Sequence, residues 1–266
     1  MIALKCLLAS IAAAMALALP ASGKAGEAQG QGPCREITFR GIGYTICKAT
    51  PEDDLRLWLR DENERAYGGF SRLNEALARE GRTLAFAMNA GMFHSDRSPV
   101  GLYVENGREI TPLADGGSYG NFGLKPNGVF CAGAGRFRVI ETNRFRKDPP
   151  PCTYATQSGP MLLIEGRIHP RFLVNATSRH IRNGVGVSED GRLAIFAISN
   201  QPVTFHEFAS FYREGLGLAD ALYFDGKISR LHAPGLGRSD TGFLPLGPII
   251  GVTAPAPALD QAAQER

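Results

Sequence analysis

Short apolar runs separated by two-residue turn signals restrict this chain more than any other feature. Asn106-Gly107 stands between Gly101-Leu102-Tyr103-Val104 and Arg108-Glu109-Ile110, and Asn127-Gly128 precedes Val129-Phe130-Cys131. Gly133-Ala134-Gly135 leads to Phe137-Arg138-Val139-Ile140, Glu165-Gly166 follows Met161-Leu162-Leu163-Ile164, and Asp190-Gly191 precedes an apolar run over residues 193–198. Such pairs accept the backbone angles of hairpin turns, so five of them in one chain predict antiparallel strand pairing.

Two segments change period. Phe70, Leu73, Ala76 and Leu77 recur at helical spacing, which predicts an amphipathic helix over residues 71–80 that stops at Gly81. Thr204-Phe205-His206-Glu207 is a capping box; Phe208, Phe211, Tyr212 and Leu216 follow on one face, and Gly215 and Gly217 end the helix. Nearer the start, residues 37–40 and 44–48 read as strands joined at Gly41 and Gly43, with a third strand over 55–59. Three consecutive prolines make residues 147–152 an irregular connection. The fold class that results is α+β: one domain over residues 34–253, a large, mainly antiparallel sheet system with two principal helices packed on it.

Residues 7–19 are almost wholly apolar, follow Lys5 and precede Pro20-Ala21-Ser22-Gly23, the pattern of a secretory signal peptide over residues 1–23. The run is shorter than the roughly 20 residues a membrane span requires. A Gly/Gln-rich linker over 24–33 leads into the domain, and an Ala/Pro/Gln-rich flexible tail covers 254–266. The expected location is periplasmic or secreted. Of the formal charge of +3, Lys5 contributes one, so the mature chain carries about +2, which is not a nucleic-acid footprint. Cys34, Cys47, Cys131 and Cys152 form an even set in a chain bound for an oxidising compartment, and two disulfides are expected. Of the three possible connectivities, Cys34 with Cys47 and Cys131 with Cys152 is favoured, because each joins neighbouring segments.

The apolar run over 84–88 ends at Asn89-Ala90-Gly91-Met92-Phe93-His94. Gln157-Ser158-Gly159-Pro160, Arg182-Asn183-Gly184-Val185-Gly186 and Phe224-Asp225-Gly226-Lys227-Ile228-Ser229 repeat the theme of polar side chains beside glycine at the edge of a strand. Glycine lets a ligand approach the backbone closely, although Asn-Gly and Asp-Gly also serve as ordinary turns. Arginines and oriented amides suit a small anionic substrate such as a phosphodiester. The five histidines show no compact ligand spacing, so zinc is not expected; no cofactor is assigned, and a carboxylate-bound calcium or magnesium stays open. Gly116-Gly117-Ser118-Tyr119-Gly120 matches the G-x-S-x-G nucleophile pattern, but the required strand before it and helix after it are missing from the sequence.

At these residues the chain resembles the phosphodiester glycosidase family, which includes the uncovering enzyme that removes N-acetylglucosamine from its phosphodiester. Asn89-Ala90-Gly91-Met92-Phe93 is similar to the family's Asn-Gly-Gly-Phe-Phe segment, and Ser158-Gly159-Pro160 to its small-Gly-Pro strand start. Arg182-Asn183-Gly184-Val185-Gly186-Val187 and Leu222-Tyr223-Phe224-Asp225-Gly226 resemble its Arg-x-x-Ile/Val-Gly and Asn-Leu-Asp-Gly-Gly elements. Residues 98–107, 124–129 and 247–252 resemble a bacterial branch of the family. Lys227 and Ile228 depart from the glycine-serine-rich continuation.

The resemblance implies an exported hydrolase that cleaves a sugar-1-phosphodiester in envelope or extracellular glycans. Asp225, Arg182 and Asn89 are the candidate catalytic residues: Arg182, with Lys125, holds the phosphate, Asn89 and Ser158 orient it, and Asp225 protonates the leaving oxygen or activates water. Gly91, Phe93, His94, Lys125, Ser158, Gly159, Asn183, Gly226 and Ser229 are candidate substrate contacts. Asp115, Glu207 and Asp240 are candidates for a second carboxylate. The competing reading is a non-enzymatic envelope module that binds a glycan or phosphorylated polymer, motivated by Lys227-Ile228.

Overall fold

The computed structural model describes residues 32–115, 120–226 and 228–257. The signal peptide, most of the linker, Ser118, Lys227 and most of the tail lie outside the described residues.

The hairpin turns form where the glycine pairs stand. Both central residues have positive φ at Arg40-Gly41, Asn106-Gly107, Ala134-Gly135 and Glu165-Gly166, the combination whose twist matches paired strands. Asn127-Gly128 behaves differently. Gly128 is the first residue of a strand, paired with both Glu141 and Ser158, and the Asn127 amide donates to the carbonyl of Phe122 at 3.1 Å, so this pair begins a buried strand and turns nothing.

Among the described residues three antiparallel sheets form. A seven-stranded sheet runs in the order Cys34–Phe39, Ile42–Ala49, Ala194–Ser199, Asn183–Val187, Asp220–Tyr223, Met161–Ile164, Arg167–Ile168. A five-stranded sheet runs Arg238–Ser239, Leu231–Ala233, Arg82–Asn89, Ile249–Pro255, Asp54–Trp58, and a second runs Arg108–Thr111, Tyr103–Glu105, Tyr154–Ser158, Gly128–Gly133, Arg136–Glu141. The fold is α+β, mostly antiparallel sheet with few helices. The Ile249–Pro255 strand carries the ordered structure two residues past the expected end of the domain, pairing Pro255 with Arg82.

Alternation along single strands builds two cores. Ala194, Phe196 and Ile198 face the other sheets, whereas Ile195 and Ala197 face the helix Phe205–Ser210. Phe196 is the meeting point of the sheets, with Phe86 at 5.4 Å and Phe130 at 5.7 Å between ring centroids, one from each five-stranded sheet. The predicted first helix is Phe70–Arg79, and its Phe70, Leu73 and Leu77 pack on Leu84, Ala87 and Ile249. The second starts with the expected capping box at Thr204, but Phe211–Gly215 winds as a π-turn in which Leu216 donates to the carbonyl of Phe211. A short helix, Thr142–Lys147, has too little length to show a period in sequence. Both disulfides join the favoured partners, Cys34 to Cys47 across directly paired strands and Cys131 to Cys152. No helix among the described residues is long and apolar enough to cross a membrane.

Candidate active site

Two strands from different sheets deliver their ends to one place. Asn89 closes the Arg82–Asn89 strand of a five-stranded sheet, and Asp225 follows the Asp220–Tyr223 strand of the seven-stranded sheet. The Asn89 amide donates to the Asp225 carbonyl at 3.1 Å and to Asn183 Oδ1 at 3.3 Å. Its own Oδ1 accepts from Asn183 Nδ2 at 3.1 Å and from the Arg230 backbone N–H at 2.9 Å. Ser229 Oγ donates to Asn183 Oδ1 at 3.1 Å and lies 3.5 Å from the Asp225 carbonyl. Asn89 and Asn183 are fully buried, so their reciprocal amides act as a brace for Asp225, Ser229 and Arg230, and the free donor proposed for a phosphate is already engaged.

Arg182 and Asn183 are neighbours on an extended chain and therefore point to opposite sides. The guanidinium of Arg182 lies on the buried side, 1 % exposed. Its Nε donates to the Val203 carbonyl at 2.9 Å, Nη2 approaches the Ser178 carbonyl at 3.3 Å, and Cζ stands 3.6 Å above the Phe205 ring. Phe205 stacks on Phe172 and Phe172 on His169, at 4.8 and 4.7 Å between centroids. Burial lowers the arginine's pKa, opposed by Tyr223, whose hydroxyl accepts from Nη1 at 3.4 Å. Arg182 does not line the cleft, and direct contact with a phosphate is corrected to a buried charge behind it.

Tyr223 couples this charge to the loop. A Cβ at Gly226 would lie 1.3 Å from the Tyr223 hydroxyl, so only glycine can pass over the ring here. Burial raises the Tyr223 hydroxyl to about 12, with Arg182 opposing the rise and Asp225 adding to it.

The brace borders a polar cleft of about 580 Å³ lined by His180, Asn200, Gly226, Ser229, Arg230 and Arg238 among others. Asp225 is partly exposed and immediately precedes Gly226, which lines the cleft, but is not itself a lining residue. Arg238 bonds both carboxylate oxygens of Asp240 at 3.0 and 2.9 Å and reaches Asn200 Oδ1 at 2.7 Å. Of the three second-carboxylate candidates, Asp240 alone lines this cleft. Asp115 is exposed and paired with Arg146, and Glu207 caps its helix and binds Arg179, so neither reaches the site.

The remaining expected contacts lie elsewhere. Phe93 packs under Gly247 with Arg97 over its ring, and His94 sits in an exposed turn. Gly91 passes tightly against Thr156 and Gln157. Lys125 is exposed, and its carbonyl accepts from His169 Nε2 at 3.0 Å. Ser158 is fully buried with its hydroxyl unpartnered among the described residues, and Gly159 abuts Asn127. Among the described residues no three His, Cys, Asp or Glu side chains group as metal ligands. Arg230, Arg238 and Asn200 were missed, because neither the three-residue strand Leu231–Ala233 nor the two-residue strand Arg238–Ser239 is long enough to show alternation.

The order of these elements along the chain is that of a known family, whose profile, described as phosphodiester glycosidase, matches residues 82–233. The chain belongs to the phosphodiester glycosidase family. Within and around that family it is 33% identical over 192 residues to the uncharacterized protein YigE of Escherichia coli (strain K12), covering 72% of this chain and 74% of that one. The catalytic domain of the zebrafish N-acetylglucosamine-1-phosphodiester alpha-N-acetylglucosaminidase, solved in a form auto-inhibited by its pro-peptide, shares the fold. It superposes with a TM-score of 0.55 and 14% identity over 82% of this chain and 81% of that one. The family segment begins with the Arg82–Asn89 strand and ends with Leu231–Ala233, so it encloses the whole amide brace.

Proposed function

We propose that this phosphodiester glycosidase is an exported hydrolase that cleaves a sugar-1-phosphodiester of envelope or extracellular glycans. The observation that carries the reading is the convergence of the buried Asn89 and Asn183 side chains with the Asp225 carbonyl and Ser229 from two sheets, behind a polar cleft whose wall includes Gly226 and Ser229. The apolar leader and the two disulfides support export.

The sugar occupies the cleft beside Gly226 and Ser229. Water attacks the anomeric carbon, the bond from that carbon to the bridging phosphate oxygen breaks, and the products are a free sugar and a phosphate monoester. A phosphate monoester leaves as a stable anion, so the greater need is activation of the water, and Asp225 takes its proton. Arg182, behind Tyr223, supplies positive potential in a region of low dielectric, where a charge acts further than in water. The amide brace holds the Asp225 carbonyl and the Arg230 N–H and so fixes the loop that carries the carboxylate.

Asp225→Asn tests the role directly. In protein with an unchanged Tm, turnover of an N-acetylglucosamine-1-phosphodiester should fall by about a hundredfold or more. Full turnover by the variant would remove Asp225 from the chemistry.

A further inference from the structure

The polar cleft lies between two sheets, and the side chain of Arg238 reaches both. Ser199 and Asn200, at the end of the Ala194–Ser199 strand, belong to the wall from the seven-stranded sheet. Arg230 and Asp240, which adjoin the Leu231–Ala233 and Arg238–Ser239 strands, belong to the wall from a five-stranded sheet. Arg238 Nη1 donates to Asn200 Oδ1 at 2.7 Å and to Thr45 Oγ1 at 2.9 Å. Thr45 is fully buried on the Ile42–Ala49 strand and donates in turn to Asn200 Oδ1 at 2.9 Å. Nε and Nη2 of the same guanidinium hold the two oxygens of Asp240, at 3.0 and 2.9 Å. Asp240 passes the hold on: its Oδ2 accepts from the Leu231 N–H at 2.9 Å, and its own N–H donates to the Leu231 carbonyl at 2.9 Å. Four of the five N–H groups of Arg238 are thereby engaged within the protein, and each Asp240 oxygen is bonded to Arg238. Both residues lie beyond Ala233, outside the segment that matches the family.

We infer that Arg238 is a positioning residue for the hydrolysis, fixing the gap between the two walls of the cleft, with Asp240 as its anchor and not as the second carboxylate of the reaction. This rests on the hydrolase reading. Asn89 and Asn183 join the same two sheets behind the cleft and are fully buried, so the sheets stay joined when the Arg238 link is cut. What changes is the separation of the walls beside Asn200, which is exposed. A substrate in a looser cleft still binds but reaches the reactive geometry less often, and that loss falls on kcat.

The test uses the full chain and an N-acetylglucosamine-1-phosphodiester, with turnover, Tm and hydrogen exchange measured on each variant. Arg238→Met should lower kcat by about tenfold or more and leave KM within about twofold, since a misplacement of about 1 Å near reacting groups can cost a hundredfold. Arg238→Lys keeps a charge toward Asp240 but lacks the fork, and should recover part of the loss. Asn200→Ala, an exposed change that cuts the far anchor, should lower kcat by about threefold with Tm unchanged. Combined with Arg238→Met it should cost nothing more, because both variants cut one link. Asp240→Asn should lose no more than about tenfold and keep the shape of the pH–rate profile, whereas a catalytic carboxylate would lose about a hundredfold or more together with one limb. Unchanged kcat in Arg238→Met, additive losses with Asn200→Ala, or a lost limb in Asp240→Asn overturns the assignment and leaves the hydrolase standing. If the wild type cleaves nothing, exchange decides. Faster exchange over residues 229–241 in Asn200→Ala, a change made on the other sheet, keeps the fastening and removes the hydrolase; unchanged exchange there overturns both.

Discussion

Arg182 lies against Tyr223, before the Asp225 loop, and Arg230 closes that loop, yet the two arginines sit in opposite surroundings. Arg182 is buried, stacked on Phe205 and bonded to main-chain carbonyls, with no carboxylate among the partners described above. Arg230 lies at the border of two cavities near the Asp240 charge, its backbone N–H bonded to Asn89 and its guanidinium without a hydrogen bond among the described residues. The difference separates a charge built into the interior from one left at a cavity wall. The residues that look most like chemistry in the family motifs, Asn89, Asn183 and Arg182, are built into the interior, and the accessible groups come from the short strands that follow the Asp225 loop.

This division can be broken by measurement. The largest effect belongs to Asn89→Ala, which strips partners from the Arg230 N–H, the Asp225 carbonyl and the Asn183 amide; denaturant unfolding should show a loss of about 3–5 kcal/mol. Arg182→Met keeps most of the volume but leaves the Val203 and Ser178 carbonyls unpaired and ends the stack on Phe205, so about 2–3 kcal/mol should be lost. Unchanged stability with lost turnover in Arg182→Met would move this residue to the cavity side of the comparison.

Acid should sharpen the same picture at the far end of the stack. His169 is buried, its Nδ1 accepts from the Arg171 N–H at 3.2 Å, and Nε2 therefore carries the proton donated to Lys125. Burial lowers its pKa, aided by Arg171 and opposed by the Lys125 bond. A folded value below the unfolded one means that stability is fully present above about pH 6.5 and is lost as the pH falls through the folded value. The stability–pH curve of His169→Gln should be flatter across that window, with a remaining slope from His232, also lowered by burial. The smallest effect is expected for Arg230→Gln, whose unfolding free energy should stay within about 0.5 kcal/mol of wild type, because its guanidinium makes no hydrogen bond among the described residues and Asp240 keeps its pair with Arg238.

Much of this was legible in the sequence because it depends on local chemistry. Glycine pairs placed the hairpins, Thr204 and Glu207 placed a helix start, and the spacing of Phe70, Leu73 and Leu77 placed the other helix. The meeting of Asn89 with Asp225 followed from reading both as strand ends. The role of each side chain did not follow, since one position along a strand exchanges interior for cleft: Arg182 and Asn183 cannot be sorted until the sheet's two faces are known. Asn127-Gly128 shows the same limit for turns, because tertiary pairing with Glu141 and Ser158 outweighed a dipeptide preference that held at Asn106-Gly107. Arg230 carried no sequence signal at all; its place between two cavities is set by tertiary structure alone.

The brace also sets a timetable. Asn89 and Arg230 are 141 positions apart, and at about 5–20 residues per second of synthesis the second follows the first by roughly 7–28 seconds. Asn183 follows Asn89 by 94 positions, and until Asp225 and Arg230 are made the two amides have only each other. Docking of the Leu231–Ala233 strand beside Met88 is still not the last step, because Arg238 and Asp240 of the cleft wall and Ile249, which pairs with Asn89, are made later, so the whole cleft waits on the end of the domain.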